Sequence, residues 1–224
     1  MLSEKSLDSG SQQPSDAEKV SRGILFVVSS PSGGGKGTLI SRVLNSVPGL
    51  SYSVSYTTRA PRVGEVDGVD YFFVTTSRFE ELVAAEEFLE WARVHGNLYG
   101  TSRAQVLKEI ADGRDIILEV DVQGAASVRK LLADSVSIFI VPHSFEVLKE
   151  RLVARGTDSP VELELRLRNA PIELRQYLAF DYVIVNDDAE RASIQLAAII
   201  QAERARRKRQ EQEVKRVADT FLLT

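Results

Sequence analysis

Short apolar runs alternate with amphipathic stretches along most of the chain. Four continuous runs, each rich in β-branched residues, lie at 23–29, 115–120, 136–141 and 182–185. Such runs are typical of strands buried on both faces of a parallel sheet. Helical spacing of apolar residues predicts helices at 36–46, 102–112, 123–133, 144–154 and 160–177, and a long final helix at 189–216. The alternation predicts an α/β fold in which helices flank a parallel sheet to give three layers.

Two regions depart from this alternation. The span 52–101 has short pieces rich in Thr, Tyr and Val, turns of Gly, Pro and Asp, and one helical stretch near 77–86, so we interpret it as an inserted α/β subdomain. The span 151–170 is short and Arg-rich, which favours a small helical lid. Residues 1–20 lack apolar periodicity, so we expect a disordered tail. A single domain would then cover 21–216, with its core built from 21–51, 102–150 and 171–216.

Composition narrows the class of protein. Hydrophobic residues make up 43% and charged residues 27% of the chain, as in globular proteins. There is no cysteine, which excludes disulfides and thiolate metal sites. No apolar run reaches the roughly 20 residues of a membrane span, so we expect a cytoplasmic protein without a membrane partner. The net charge of −4 disfavours a nucleic-acid binder. The basic stretch at 204–209 is interpreted as a solvated helix face, with a weak site for an anionic partner as the alternative.

A glycine-rich loop joins the first predicted strand to the first predicted helix. It consists of Ser30, Pro31, Ser32, Gly33, Gly34, Gly35, Lys36, Gly37 and Thr38. Glycine lets backbone N–H groups turn inward around phosphate oxygens, and the N-terminus of the following helix adds further donors. Lys36 would reach the β- and γ-phosphates as a point charge. The pattern predicts a phosphate loop (P-loop) that binds ATP; the alternative is an incidental glycine-rich turn.

The loop departs from the usual P-loop pattern at two positions. Ser30 stands at the first glycine position, and Gly37 stands where a magnesium-binding hydroxyl usually lies. Thr38 follows one residue late and is the candidate metal ligand, directly or through water. Gly-Lys-Gly-Thr is a variant found among nucleoside monophosphate kinases, in which the nucleotide and water hold most of the metal. The loop alone indicates only a nucleoside triphosphate site.

Paired arginines and tyrosines in the insert suggest a second phosphate site. Arg59 and Arg62 flank a proline, and Tyr71 and Tyr99 follow them. Guanidinium forks and phenol hydroxyls are the donors that a dianionic phosphate prefers. The alternative is surface charge beside ordinary strand tyrosines. His95 and His143 are interpreted as local residues, since no metal-ligand cluster surrounds either in the sequence.

Six segments resemble the guanylate kinase family in order and spacing, from about residue 23 to residue 212. They are SVSYTTRAPRVGEVDGVDY at 53–71, FLEWA at 88–92, GNLYGT at 96–101, LEVDVQG at 118–124, RLVARGT at 151–157 and VIVND at 183–187. The resemblance implies transfer of the γ-phosphoryl group of ATP to GMP, with Mg²⁺ as the cofactor, in purine nucleotide metabolism. It also implies that the insert is a GMP-binding subdomain.

The resemblance assigns roles to the residues of these segments. Those that would hold the GMP phosphate are Arg59, Arg62, Tyr71 and Tyr99. Those that would contact guanine are Ser55, Glu90 and Thr101, and Asp121 would bind GMP or Mg²⁺, directly or through water. The catalytic cations would be Lys36, Arg59, Arg151, Arg155 and Arg166. Asn186 and Asp187 would line the adenine of ATP.

The chemistry of guanine supports the second of these assignments. Guanine presents two adjacent donors, N1–H and the 2-amino group, which a carboxylate such as Glu90 can accept together. Hydroxyls of Ser55 and Thr101 could donate to O6; Thr101 stands where a serine is often found and keeps the hydroxyl. Adenine would leave the carboxylate facing an acceptor, and a buried polar group without a partner costs roughly 1–3 kcal/mol.

Two alternative functions stay open at this point. The chain could be a kinase for another acceptor, such as AMP or a sugar phosphate. It could also be a guanylate-kinase-like scaffold module that binds phosphopeptides, although such modules typically lack a working P-loop. Lys36 and the glycine triplet favour the enzyme. ATP and GMP are the expected partners, and the sequence leaves a homo-oligomer open.

Overall fold

The computed structural model describes residues 22–94, 96–156 and 159–221, with the side chain of Arg155 outside the described atoms. The predicted tail at 1–20 and His95 lie outside these residues. The strands are β1 (Leu25–Ser29), β2 (Leu50–Tyr52), β3 (Tyr56–Thr57), β4 (Phe72–Phe73), β5 (Phe88–Val94), β6 (Asn97–Ser102), β7 (Asp115–Glu119), β8 (Val136–Pro142) and β9 (Tyr182–Asn186). The helices are α1 (Lys36–Ser46), α2 (Thr76–Ala84), α3 (Arg103–Ala111), α4 (Val122–Leu131), α5 (Phe145–Arg155), α6 (Pro160–Leu174), α7 (Ala189–Arg204) and α8 (Arg207–Phe221), with a 3₁₀ helix at Arg175–Ala179.

A five-stranded parallel sheet forms the centre of the molecule, in the order β2-β7-β1-β8-β9. All five residues of β1 are buried, and its four apolar residues alternate between two apolar clusters. Phe26 and Val28 pack with α1 and α7 on one face, whereas Leu25 and Val27 pack with α3 and α4 on the other. The predicted three-layer α/β fold is confirmed.

This topology brings separate segments of the chain to one edge of the sheet. Parallel strands end at the same edge, where ligands of α/β proteins usually bind. The P-loop follows β1, Glu119 ends β7, and Asn186 ends β9. Residues far apart in sequence therefore meet around the loop.

A second sheet, in the order β4-β3-β6-β5, is built from the span predicted as an insert. It pairs β3 with β6 and β5 with β6 in antiparallel fashion, and β3 with β4 in parallel. Its own small core contains Phe79, Phe88 and Leu98, so α2 packs on this sheet. The predicted helix near 77–86 is thus observed at Thr76–Ala84.

The predicted lid region consists of a helix pair. Leu148 and Leu152 of α5 pack against Ala170 of α6. Helix α6 begins with a complete capping box, in which Ser159 and Glu162 satisfy each other's backbone N–H groups. Closure of these helices over a substrate stays a prediction.

The structure differs from the sequence prediction in three elements. The helix predicted at 160–177 ends at Leu174 and is followed by the 3₁₀ helix Arg175–Ala179. The final helix is broken at residues 205–206 rather than continuous over 189–216. Arg204 turns towards the sheet at the break, where its Nε donates to Asp115 Oδ2 at 2.7 Å, and α8 beyond it buries no residue. Strand β2 was not predicted because its three half-buried residues are too few to show a pattern. Among the described residues, no helix combines the length and apolar character that crossing a membrane requires.

Candidate active site

The P-loop takes the backbone conformation that its glycines permit. Gly33 and Gly35 have φ of 84° and 90°, in the left-handed region that favours glycine. Gly35 caps the N-terminus of α1, and a Cβ there would lie 2.4 Å from Asn186 Nδ2. Space and dihedral angle therefore both require glycine at this position.

Lys36 lies between the loop and β7. Its Nζ donates to Ser30 Oγ at 3.2 Å and is 3.9 Å from Glu119 Oε1. Glu119 also accepts a long hydrogen bond, of 3.5 Å, from the hydroxyl of Tyr52. The loop lysine is thus directed at a carboxylate that was not among the predicted site residues.

The last residue of β9 contacts the P-loop through a hydrogen bond. Asn186 is buried and its Nδ2 donates to the carbonyl oxygen of Gly34 at 2.9 Å. Arg151 donates to the same oxygen and to the carbonyl oxygen of Asn186, each at 3.3 Å. Asp187 is instead exposed, where it pairs with Arg191 and accepts from the N–H of Asp188. The structure therefore places Asn186 and Arg151 at the loop and Asp187 outside it.

Two residues of helix α6 bind Ser32 of the P-loop. Arg166 Nη1 donates to Ser32 Oγ at 2.8 Å, and the backbone N–H of Ser32 donates to Glu173 Oε2 at 3.0 Å. A carboxylate and a guanidinium from the same helix therefore bind one loop residue. Of the three arginines expected near the transferred phosphoryl group, two contact the loop, and the side chain of Arg155 lies outside the described atoms.

The predicted phosphate-binding residues of the insert lie together. Arg59 Nη2 forms an ion pair of 2.8 Å with Glu65 Oε1, and its guanidinium lies 5.3 Å from the centre of the Tyr71 ring. Tyr71 and Tyr99 pack edge to face. Glu65 Oε2 accepts from the backbone N–H of Arg62 at 2.7 Å. Partial burial acts to raise the pKa of Glu65, but the hydrogen bonds from Arg59 and from the Arg62 backbone hold it below its usual value.

Glu90 is the buried carboxylate of the insert. It is 7% exposed, and its Oε1 accepts a 2.6 Å hydrogen bond from Thr101 Oγ1 across the β5–β6 pair. Burial raises the pKa of Glu90 to about 7, the charge of Asp121 acts in the same direction, and the Thr101 hydrogen bond opposes them. In its ionised form, this carboxylate can accept further hydrogen bonds from a ligand that enters the site.

One cleft is lined both by residues of the P-loop and by residues of the insert. Its lining includes residues of the P-loop, the insert, β7, the loop after β7, and α6; those predicted from sequence are Ser30, Ser32, Gly33, Lys36, Ser55, Arg59, Arg62, Tyr71, Glu90, Tyr99, Asp121 and Arg166. An adjoining cavity on the other side of the loop is lined by Gly34, Gly35, Gly37, Thr38, Arg151 and Asn186, among others. Pro31, Thr101 and Asp187 line neither, and Thr101 reaches the cleft only through Glu90.

Two carboxylates that could hold a divalent cation, those of Glu119 and Asp121, line this cleft. Mg²⁺ binds through one or two carboxylates together with substrate phosphates and water. Asp121 caps α4, since its Oδ1 accepts from the N–H of Gly124 at 2.8 Å, while Glu119 faces Lys36. The described part of the chain has no cluster of three or more metal-ligating His, Cys, Asp or Glu residues. The donor set therefore fits a cation held mainly by nucleotide phosphates.

Sequence reasoning missed three acidic residues at the site: Glu65, Glu119 and Glu173. Glu65 and Glu119 lie within segments already recognised by their resemblance, and Glu119 ends a buried strand that leads to the cleft. The position of Glu119 at the end of this strand could have identified it as a site residue from the sequence. Glu173 gave none, because it is an ordinary polar residue in the pattern of α6.

Comparison with known proteins identifies the family. The family model "Guanylate kinase" matches residues 22–203. A guanylate kinase of Symbiobacterium thermophilum is 51% identical over 185 residues, which cover 83% of this chain and 88% of that protein. One of Neisseria gonorrhoeae is 52% identical over 189 residues, covering 84% and 92%.

A solved structure agrees with the sequence matches. The crystal structure of guanylate kinase from Anaplasma phagocytophilum aligns with a TM-score of 0.72 at 35% identity, and the alignment covers 84% of this chain and 90% of that one. A glycine loop, a facing acceptor cluster and these matches over most of the chain lead to one conclusion: the chain belongs to the guanylate kinase family.

Proposed function

We infer that the cleft holds the two nucleotides of a guanylate kinase reaction, with ATP at the P-loop and GMP in the insert. The protein transfers the γ-phosphoryl group of ATP to GMP and gives ADP and GDP, a step of purine nucleotide metabolism. One observation carries the assignment of the sites: Lys36 of the P-loop and Glu90 of the insert line the same cleft. Two nucleotides bound there would meet with their phosphates between these residues.

On the donor side, the chain supplies positive charge around the phosphates. Phosphoryl transfer depends on positioning and on neutralisation of developing charge. The loop N–H groups, Lys36 and the N-terminus of α1 would surround the β- and γ-phosphates, and Arg151 and Arg166 already lie against the loop. Glu119, Asp121 and Thr38 are the residues that would hold Mg²⁺, directly or through water, and the cation would supply positive charge that offsets the charge of the phosphates.

On the acceptor side, the ion pair between Arg59 and Glu65 fixes a guanidinium beside two phenols. Arg59, Arg62, Tyr71 and Tyr99 would bind the GMP phosphate and direct one of its oxygens at the γ-phosphorus. The phosphate of GMP is largely a dianion at neutral pH, so no general base is needed to activate it. Arg59 also reduces repulsion between the two phosphate groups.

The base would be recognised mainly by Glu90 and Ser55. Glu90 would accept the N1–H and 2-amino hydrogens of guanine. Thr101 donates its hydroxyl to Glu90 and does not line the cleft, so we assign it to holding the carboxylate rather than to O6. The hydroxyl of Ser55, which does line the cleft, is then the group that would donate to O6.

Water would be excluded by movement of the two elements that flank the cleft. Helix α6 reaches the loop through Arg166 and Glu173, and the insert carries the acceptor residues. Closure of both over bound nucleotides would keep water from the γ-phosphate and suppress ATP hydrolysis.

A coupled ADP-release assay across GMP, dGMP, AMP, CMP and UMP tests this function. We expect ADP release with GMP to exceed that with AMP by at least about 100-fold in kcat/KM, because each mispaired buried group adds discrimination. Preference for another monophosphate would contradict the acceptor assignment. ATP binding without turnover, together with binding of a phosphopeptide, would instead support a scaffold module.

A further inference from the structure

Gly124 has a backbone conformation that does not require glycine. It lies in the first turn of α4 and is not among the described residues with positive φ. Inside a helix, alanine is favoured over glycine. The backbone at residue 124 would therefore accept a larger residue. The need for glycine comes instead from the neighbouring side chains.

The surroundings of Gly124 are filled by the carboxylate of Glu90. A Cβ built on Gly124 would lie 2.6 Å from Glu90 Oε2 and 3.2 Å from Glu90 Cδ. Val120 Cβ would also be only 3.2 Å away, so the added atom would crowd both side chains. The first turn of α4 is thus in direct contact with the end of the Glu90 side chain.

The two oxygens of Glu90 face different elements. Oε1 accepts from Thr101 on β6, whereas Oε2 lies against Gly124 on α4. Because Glu90 is only 7% exposed, its carboxylate has little room to move without losing the Thr101 bond. Helix α4 packs on the central sheet. The position of the Glu90 carboxylate therefore depends on the core of the protein as well as on the insert.

We propose that Gly124 is a positioning residue for GMP specificity: its lack of a side chain lets α4 support the Glu90 carboxylate in the orientation that accepts the two donors of guanine. This proposal rests on the proposed function. An added methyl group at residue 124 would displace the Glu90 carboxylate and break its hydrogen bond with Thr101. The carboxylate would then no longer be aligned with the two donors of guanine. The effect would reach GMP through Glu90 and would leave the ATP side of the cleft unchanged.

The test compares Gly124→Ala in two backgrounds. With Glu90 present, we expect Gly124→Ala to lower kcat/KM for GMP by about 10- to 100-fold, mostly through KM, the cost of losing a hydrogen bond to a charged group. The GMP/AMP ratio should fall, and KM for ATP should change by less than about twofold. In the Glu90→Asp background, whose shorter side chain leaves room for the methyl group, Gly124→Ala should cost less than about threefold.

The control and the contrary outcomes separate the proposal from the proposed function. Ala126→Gly, an exchange of the same two residue types at an exposed position of α4, should leave kcat/KM for GMP within about twofold. An equal loss from Gly124→Ala in both backgrounds, or no loss in either, would overturn the role of Gly124. Wild-type protein that fails to phosphorylate GMP would overturn the function instead. If Gly124→Ala does not fold, isothermal titration of GMP into the Glu90→Asp variant and into the Gly124→Ala/Glu90→Asp double variant still tests the proposal. A GMP affinity more than about threefold weaker in the double variant would contradict the role of Gly124.

Discussion

The P-loop and the acceptor side of the cleft are built by opposite means. The loop relies on its main chain: Gly33 and Gly35 set the direction of backbone N–H groups, and Asn186 fixes the Gly34 carbonyl from behind. The acceptor side relies on side chains that come from separate segments of the insert and are held by partners of their own. Arg59 is held by Glu65, and Glu90 is held by Thr101.

This difference separates catalysis from specificity. Main-chain N–H donors bind phosphate groups, which all nucleoside triphosphates share. The P-loop would therefore promote phosphoryl transfer without selecting the acceptor. Side-chain partners with fixed orientation can distinguish one base from another, because an unmatched buried group loses its hydrogen bonds. Changes on the donor side should therefore lower kcat for every acceptor, whereas changes on the acceptor side should alter which acceptor is used.

The largest effect is expected from Lys36→Ala. Removing the charge that we expect beside the γ-phosphate should lower kcat by about 10²- to 10³-fold, as the loss of one electrostatic contact in a transition state commonly does. The affinity for GMP, measured by isothermal titration, should change little. Lys149→Ala, at an exposed position of α5, is the matched control and should retain wild-type kcat. An unchanged kcat in Lys36→Ala would remove the P-loop from the mechanism.

A smaller loss, restricted to one acceptor, is expected from Glu90→Gln. The amide offers one acceptor where guanine needs two, so kcat/KM for GMP should fall by about 10- to 100-fold while that for AMP holds or rises. Steady-state kinetics with both monophosphates measure the ratio. Glu87→Gln, at the exposed residue just before β5, should leave it unchanged. An intact GMP/AMP ratio in Glu90→Gln would show that the base is recognised elsewhere.

Glu65→Gln should have a weaker effect because Glu65 does not itself line the cleft. Loss of its ion pair would free Arg59 to turn away from the phosphate position, and KM for GMP should rise by about tenfold with kcat much less affected. KM for AMP should rise by the same factor, since both nucleotides carry the same phosphate. Glu80→Gln, on the exposed side of α2, provides the control. If KM is unchanged, Arg59 keeps its position without this partner.

The same contrast explains what could be predicted from the sequence. A P-loop is contiguous: its strand, glycines and lysine occupy one short stretch, so hydrophobic pattern and loop chemistry suffice to find it. The central strands were equally visible, because β1 and β7 are almost continuously apolar and buried. Strand β2 was missed since it has only three half-buried residues.

On the acceptor side, the paired arginines and tyrosines suggested a phosphate site, but the residues expected to contact guanine could be located only by resemblance. They are spread over 55–101 and depend on strand register. The pairing of Glu90 with Thr101 across β5 and β6 follows from a register that shifts between Phe88 and Glu90. No pattern of residue types shows this shift. Likewise, the bond of Ser32 to Glu173 joins positions 141 residues apart, and only the packing of α6 on the P-loop creates it.

The smallest effect is expected from pH, and it distinguishes the two sides without a mutation. Burial raises the pKa of Glu90 to about 7 from a usual value of 4.5. With the pKa raised on folding, the stability linked to this group is complete below pH 4.5 and is lost as pH rises through about 7. Guanine needs the ionised carboxylate, so the GMP/AMP ratio of kcat/KM should rise by about threefold between pH 6.5 and 7.5. Titration of the phosphate cancels in this ratio because GMP and AMP share it. The ratio should be independent of pH in Glu90→Gln, and a persistent slope in that variant would assign the titration to another group.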